Sequence, residues 1–150
     1  MKVFARLKEN VPIVWNSNAY YSSEQAVLLQ GVVDVYLLDF KYGNDRCAKE
    51  ISGIDNYFET VTRNHLMGFK DAEMIIRILV LPQHLDCCLR PIVHWIANNL
   101  SPNVRVNLMW QYRPEWRAYS RKELSRELTD KEMLESLNMA KQAGLQNILT

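Results

Sequence analysis

The sequence lacks the motifs that mark several common functions. It contains neither a GxGxxG nor a GxxxxGK[ST] pattern, the glycine-rich loops that cradle phosphates. It has no apolar run of the ~20 residues that a bilayer span requires. Its first ten residues, MKVFARLKEN, carry three basic side chains and no apolar core of a secretory signal. We therefore expect no phosphate-loop nucleotide site and no membrane contact.

An excess of charge of one sign is also missing. The chain has 18 basic and 17 acidic side chains, which gives a formal net charge of +1. Proteins that bind nucleic acid or anionic membranes through electrostatics usually carry a basic surface. The balance predicts that nucleic acid is not a partner.

Cysteine is scarce, with three residues in 150: Cys47, Cys87 and Cys88. An odd number without a secretory signal predicts reduced thiols and a cytoplasmic location. Adjacent cysteines rarely bridge each other, so Cys87 and Cys88 are interpreted as packing residues, with a metal or redox pair as the alternative. The sequence contains three histidines, His65, His84 and His94, and no metal-ligand spacing links them. The sequence therefore predicts no metal site.

What the sequence does contain is a strand-then-helix pattern. Four short apolar segments rich in β-branched residues predict strands at residues 11–15, 32–38, 74–82 and 104–109. Helical patterns follow them, at residues 22–30, 46–51, 55–67, 91–100 and 129–143. This alternation predicts an α/β fold with a parallel sheet, in one domain that spans residues 1–150. The second and third strands are apolar on both faces, as expected when helices cover one face and another structure covers the other.

Helix ends are indicated by capping residues. Ser22 or Ser23 can cap the first helix, and Thr129 with Glu132 forms a capping box before the last one. Gly68 is expected to stop the third helical segment, and the charged run at residues 121–126 is expected to be a solvated helix.

Polar residues gather where the predicted strands end. In parallel α/β folds the loops at the carboxyl ends of strands converge, so ligand sites form there. The side chains at these ends are amides, hydroxyls, one acid and several bases: Asn16, Ser17, Asn18, Asp39, Lys41, Tyr42, Arg77, Asn107, Gln111, Tyr112 and Arg113. Because strand residues two apart share a face, Leu37, Asp39 and Lys41 are expected to point the same way.

Simpler interpretations exist for these residues. A single Asn, Ser or Asp at a strand end often makes a turn or caps the next helix. Asp39 and Lys41 could form one solvated ion pair of little energetic value. Arg77 is harder to explain in this way, because a guanidinium inside an apolar strand needs an acidic partner or an anionic ligand. The prediction of a site depends on the four strand ends together.

Four segments in order carry a family resemblance: PIVWNSNAY, VVDVYLLDFKYGND, IRILVLP and VNLMWQYRP. Together they resemble the radical S-adenosylmethionine proteins related to pyruvate formate-lyase activating enzyme. Such proteins have a partial (β/α) barrel. A [4Fe-4S] cluster on a CxxxCxxC loop binds S-adenosylmethionine, which is cleaved to a radical that abstracts hydrogen. The resemblance implies a partial, open TIM-like barrel of about four βα units here.

The resemblance also assigns S-adenosylmethionine-binding roles. Asn16, Ser17 and Asn18 would lie near the cofactor, and Asp39 and Lys41 would match a DxK motif at its ribose and carboxylate end. Arg77 would be a carboxylate partner. The fourth strand would face adenine or substrate through three residues: Asn107, Gln111 and Tyr112.

The departures from the family concern the catalytic half. The chain has no CxxxCxxC motif and no GGE motif. The resemblance therefore implies the carboxyl-terminal portion of such an enzyme, with a [4Fe-4S] cluster only in a longer parent protein and no catalysis by this chain alone. The uncovered barrel interior predicts self-association or binding to the missing amino-terminal half, and a protein substrate is a further expected partner. The alternatives are a non-catalytic domain that binds S-adenosylmethionine, a nucleotide or a partner protein, and a remnant without function.

Overall fold

The computed structural model describes residues 11–150 and shows a parallel sheet of five strands. The strands are neighbours in chain order: β1 (Val14–Ser17), β2 (Val35–Asp39), β3 (Glu73–Leu79), β4 (Arg105–Met109) and β5 (Ile148–Leu149). Between them lie α1 (Ser23–Leu29), α2 (Asp45–Ser52), α3 (Tyr57–Asp71), α4 (Arg90–Asn99) and α5 (Asp130–Gln142). Every strand pair is parallel. The predicted α/β fold with a parallel, open sheet is confirmed.

Several boundaries differ from the sequence prediction. The first strand begins later than expected, and β5 was not predicted because its two residues are too few for a periodic pattern. A five-residue π-helical turn (Leu85–Leu89) precedes α4, and a 3-10 turn (Trp116–Ser120) follows β4. The expected helix at residues 121–126 is wrong, since that segment forms turns.

The predicted helix end at Gly68 is wrong, because this residue lies inside α3. A Cβ atom at this position would lie 2.9 Å from Met74 Cε and 3.1 Å from the ring of Tyr36. Glycine therefore allows α3 to approach the sheet closely, and this packing requirement outweighs its poor helix propensity.

The predicted caps are present at the starts of the first and last helices, α1 and α5. The Ser22 hydroxyl accepts from the Gln25 amide, and the Gln25 side chain accepts from the Ser22 amide. Thr129 and Glu132 form the same reciprocal arrangement at α5. Each box satisfies backbone donors that a helix start leaves unpaired.

The two faces of the sheet differ in burial. One face, called here the covered face, has fully buried side chains that join the helices in one core: Tyr36, Leu38, Ile76, Ile78 and Leu108. The other, called the open face, has partly exposed apolar side chains: Val35, Leu37, Ile75, Leu79 and Met109. Towards its edges lie Val14, 53% exposed, and Leu149, 47% exposed. Among the helices of residues 11–150, none combines the length and apolar character needed to cross a membrane.

Candidate functional site

An ion pair joins the neighbouring strands β2 and β3 near their carboxyl ends, on the open face. Asp39 is the last residue of β2, and its register partner in β3 is Arg77. Asp39 Oδ1 accepts from Arg77 Nε at 2.7 Å and lies 2.6 Å from Arg77 Nη2. The acidic partner that a guanidinium within an apolar strand requires is therefore supplied by the neighbouring strand.

Two further residues join this pair. Arg77 Nη2 also donates to Asn16 Oδ1 at 2.7 Å, and Lys41 Nζ lies 3.3 Å from Asp39 Oδ2. The side chains of Asp39, Arg77 and Lys41 are 16%, 24% and 37% exposed. We call these four residues the strand-end cluster: Asn16, Asp39, Lys41 and Arg77. Asp39 and Lys41 are thus part of a network across three strands rather than one isolated surface pair.

Two hydrogen bonds hold the backbone of the strand-end cluster in place. The buried Tyr57 hydroxyl accepts from the Lys41 amide at 2.8 Å, and the Phe40 amide donates to the Arg77 carbonyl at 2.8 Å. Burial raises the pKa of Tyr57, so this hydroxyl stays protonated. Both contacts fix the backbone immediately after Asp39, which limits how far the carboxylate can move.

Ser17 is the last residue of β1, and Asn18 lies in the turn that follows. Ser17 Oγ accepts from the Ala19 amide at 3.2 Å, and Asn18 Oδ1 accepts from the Tyr20 amide at 3.0 Å. These side-chain contacts stabilise a turn in which Ala19 has a positive φ of 61°. Both side chains therefore have a structural role beside whatever ligand role the resemblance assigns.

The residues of β4 and of the segment directly after it lie in different environments. Asn107 is the register partner of Arg77 and extends the polar row of the open face. Tyr112 is buried, and its hydroxyl donates to the Leu124 carbonyl at 2.8 Å. Gln111 is exposed. Tyr112 also lines a cleft of about 600 Å³ together with Lys41 and Leu79.

A second group of reactive side chains lies near the same edge of the sheet. Three thiols and one imidazole present ligand atoms that all lie within 4.8 Å of one another: Cys47, His84, Cys87 and Cys88. We call this set the Cys/His group. Cys47 lies in α2, which follows β2, and the other three lie in the segment that follows β3. The spacing of these residues in the sequence does not bring them together, and their geometry differs from the expected absence of a metal site.

A local signal for this group was present in the sequence. His84, Cys87 and Cys88 occupy positions i, i+3 and i+4, which a helical turn places on one side. The fourth member, Cys47, is distant in the sequence and comes close only in the folded chain, where β2 pairs with β3 and Asn44, the cap of α2, donates to the Cys87 carbonyl. Spacing rules for metal sites use only the separation of residues along the sequence, so they cannot detect a partner that is close only in the fold.

Burial shifts the pKa of three residues in this region. It raises the pKa of the Cys87 and Cys88 thiols, since an apolar environment disfavours the thiolate. It lowers the pKa of His84 for the same reason, so the imidazole is neutral near pH 7. A neutral imidazole is the form that binds metals.

The Cys/His group does not fit a [4Fe-4S] cluster. The cysteine ligands of such a cluster bind different iron atoms, which places their sulfurs farther apart than ligands that share one ion. The three thiols here lie within 4.8 Å of one another, a separation suited to one shared ion. No step of iron-sulfur chemistry is therefore derived for these residues.

Comparisons with known proteins find similarity both in sequence and in structure. No protein-family model matches the chain. An uncharacterized protein of Methanocaldococcus jannaschii is 48% identical over 145 residues, which cover 97% of this chain and 42% of that protein. The chain thus spans less than half the length of the curated relative that it matches.

One structural neighbour is a crystal structure of a domain of pyruvate-formate lyase-activating enzyme from Bacteroides vulgatus. The TM-score is 0.64 at 13% sequence identity, and the match covers 89% of this chain and 79% of that domain. This likeness shows that the chain has the fold of an activating-enzyme domain, in agreement with the family resemblance of its four segments.

Proposed function

We propose that this chain is the carboxyl-terminal part of a radical S-adenosylmethionine protein resembling pyruvate formate-lyase activating enzymes, and that it contributes residues that bind S-adenosylmethionine. The observation that supports this most is the strand-end cluster, which joins Asn16, Asp39, Lys41 and Arg77 on the open face. Bound in a complete protein, S-adenosylmethionine supplies the 5′-deoxyadenosyl radical.

The charges of the cluster suit one end of this cofactor. Lys41 and Arg77 carry two positive charges against the single negative charge of Asp39, so an added carboxylate would balance the cluster. The contacts of Arg77 use Nε and Nη2, and Nη1 carries two further N–H donors. Charge-assisted hydrogen bonds from guanidinium to carboxylate are among the strongest in proteins.

The remaining polar residues suit the nucleoside part. Asp39 can accept hydrogen bonds from ribose hydroxyls through Oδ2, the oxygen beside Lys41. Asn107, next to Arg77 in the register, offers both a donor and an acceptor to a base or substrate. Ser17, Asn18, Gln111 and Tyr112 complete the proposed set.

The open face fits the position of this chain within a longer protein. Its apolar side chains are only partly buried among residues 11–150, and a soluble protein rarely leaves a large apolar surface uncovered. The relative from Methanocaldococcus jannaschii extends well beyond the matched region. We propose that the remainder of such a protein covers the open face and completes the barrel.

Calorimetric titration with S-adenosylmethionine tests the proposal. We expect the chain to bind the cofactor, and Arg77→Met to weaken binding by about 10-fold to 100-fold, the usual loss for a charge-assisted hydrogen bond. Arg105→Met is the matched control, because Arg105 begins β4 and shares a face with Asn107 at the opposite end of the strand. Equal losses in both variants, or no binding by the wild type, would contradict the assignment.

A decarboxylated analogue sharpens the test. If Arg77 binds the carboxylate, the wild type should prefer S-adenosylmethionine to the analogue, and Arg77→Met should lose this preference. Incubation of the chain with S-adenosylmethionine and a reductant is expected to yield no 5′-deoxyadenosine. Detection of that product would overturn the view that this chain needs another part for catalysis.

A further inference from the structure

The Cys/His group has the composition of a closed metal site. Three sulfurs and one ring nitrogen converge from two segments that follow neighbouring strands: Cys47 from α2, and His84, Cys87 and Cys88 from the turn after β3. Cys47 and Cys88 are each 3% exposed, so the group is largely shielded from water. All three cysteines are free thiols.

From this geometry we propose that Cys47, His84, Cys87 and Cys88 bind one Zn²⁺ ion in a structural Cys₃His site. The proposal does not depend on the binding of S-adenosylmethionine. It concerns different residues and a different ligand.

The distances within the group approach those of a zinc site. Tetrahedral coordination with Zn–S of about 2.3 Å and Zn–N of about 2.0–2.1 Å separates the ligand atoms by roughly 3.5–3.8 Å. His84 Nδ1 lies 3.2 Å from Cys87 Sγ and 3.8 Å from Cys88 Sγ, and the two sulfurs are 4.0 Å apart. Cys47 Sγ also lies within 4.8 Å of each of these atoms, so all four ligand atoms are close to the spacing that one ion requires.

A disulfide is a poor alternative for these thiols. Bonded sulfurs lie about 2.05 Å apart, whereas Cys87 Sγ and Cys88 Sγ are 4.0 Å apart. A thiol–imidazole hydrogen bond accounts for the contact between Cys87 and His84, but it does not account for the convergence of all four ligand atoms within 4.8 Å. Soft thiolates with one imidazole are a donor set that selects Zn²⁺ over Mg²⁺ or Ca²⁺.

The surrounding backbone is organised to hold the two halves of the group together. Asn44 caps α2 by accepting from the Cys47 amide at 2.8 Å, and its Nδ2 donates to the Cys87 carbonyl at 2.6 Å. One side chain thus links the segment of Cys47 to that of Cys87. Outer contacts of this kind orient ligands in metal sites.

Two local features of the backbone serve the same group. A Cβ atom at Gly43 would lie 2.9 Å from Cys88 Cα and still closer to the Cys88 carbonyl oxygen, so only glycine permits this approach. Cys87 and Cys88 lie in the π-helical turn, whose Cys88 and Leu89 amides both donate to the His84 carbonyl. Such turns are rare and often occur at functional sites.

The consequence of a bound ion would be structural. It would link the start of α2, which follows the loop that carries Lys41, to the segment after β3. The site would therefore stabilise the carboxyl edge of the sheet.

Metal analysis of the reduced full chain tests the proposal. After removal of metal with a chelator under reductant, addition of Zn²⁺ should restore one ion per chain, raise the melting temperature and protect all three thiols from alkylation. Co²⁺ used as a probe should give the intense visible absorption of a tetrahedral thiolate site. These measurements on the wild type do not depend on whether any variant folds.

Two variants locate the site. His84→Gln and Cys87→Ser change the half-buried members of the group, and each is expected to weaken Zn²⁺ binding by 10-fold or more. His94→Gln is the matched control, since this exposed histidine of α4 lies outside the group. The proposal fails if the wild type takes up no Zn²⁺, if it takes up only iron, or if both variants bind Zn²⁺ as tightly as the control.

Discussion

The covered and open faces of the same sheet are built from alternate residues of the same strands, yet they differ in what surrounds them. On the covered face, Ile76 and Leu108 are fully buried against helices. On the open face, Ile75 and Met109 remain partly exposed, and the polar cluster of Asp39 and Arg77 lies at their carboxyl end. The comparison shows that one face forms the core, while the other remains partly exposed among residues 11–150.

The largest expected effect is a difference in the free energy of unfolding between substitutions of two adjacent residues of β3. Ile76→Ala should lower the free energy of unfolding by about 2–5 kcal/mol, because it leaves a cavity in a packed core. Ile75→Ala, the matched control on the open face, should cost less than about 2 kcal/mol, since its side chain is only partly buried. Chemical denaturation of both variants measures the difference. Equal losses would mean that the open face is covered in solution.

The pH dependence of stability should come partly from the covered side, where His65 is fully buried. Its Nδ1 lies 2.8 Å from the Val61 carbonyl, and its ring packs 5.0 Å from that of Phe40. Burial lowers the pKa of His65 from 6.5 to about 4, so the native state stays neutral while the unfolded chain binds a proton. Stability should therefore fall as the pH drops from about 6.5 to about 4, by about 3 kcal/mol from this residue.

Denaturation at several pH values checks this prediction. In His65→Leu the free energy of unfolding should decline less steeply between these pH values than in the wild type, because the titrating group is gone. The same slope in both proteins would show that the buried imidazole does not govern the profile.

A smaller effect is expected when a charge is placed on the open face, through which the chain is predicted to self-associate. Sedimentation velocity over a range of concentrations should show self-association of the wild type, and Leu37→Lys should shift it towards the monomer by placing a charge on that face. Val27→Lys is the control, since Val27 is an exposed apolar residue of α1. A wild-type chain that is monomeric at every concentration and melts cooperatively would contradict self-association through the open face.

The sequence predicts the strand-end cluster better than it predicts the Cys/His group, and the reason is physical. Parallel strands bring their carboxyl ends to one edge, so Asp39 and Arg77 could be placed together from strand order alone. The meeting of Cys47 with His84 depends on how α2 and the π-helical turn pack, which no periodic pattern encodes. Similarly, Gly68 looked like a helix end because its packing against Tyr36 cannot be seen locally.

The central claim is that the carboxyl end of the open face binds S-adenosylmethionine. Titration of the isotope-labelled chain with this cofactor, followed by heteronuclear NMR, tests it most directly. The account predicts shifts concentrated at the strand ends around Asn16, Asp39 and Arg77, with the amides of α4 and α5 unchanged. Shifts confined to the helices of the covered face, or no shifts at millimolar cofactor, would contradict it.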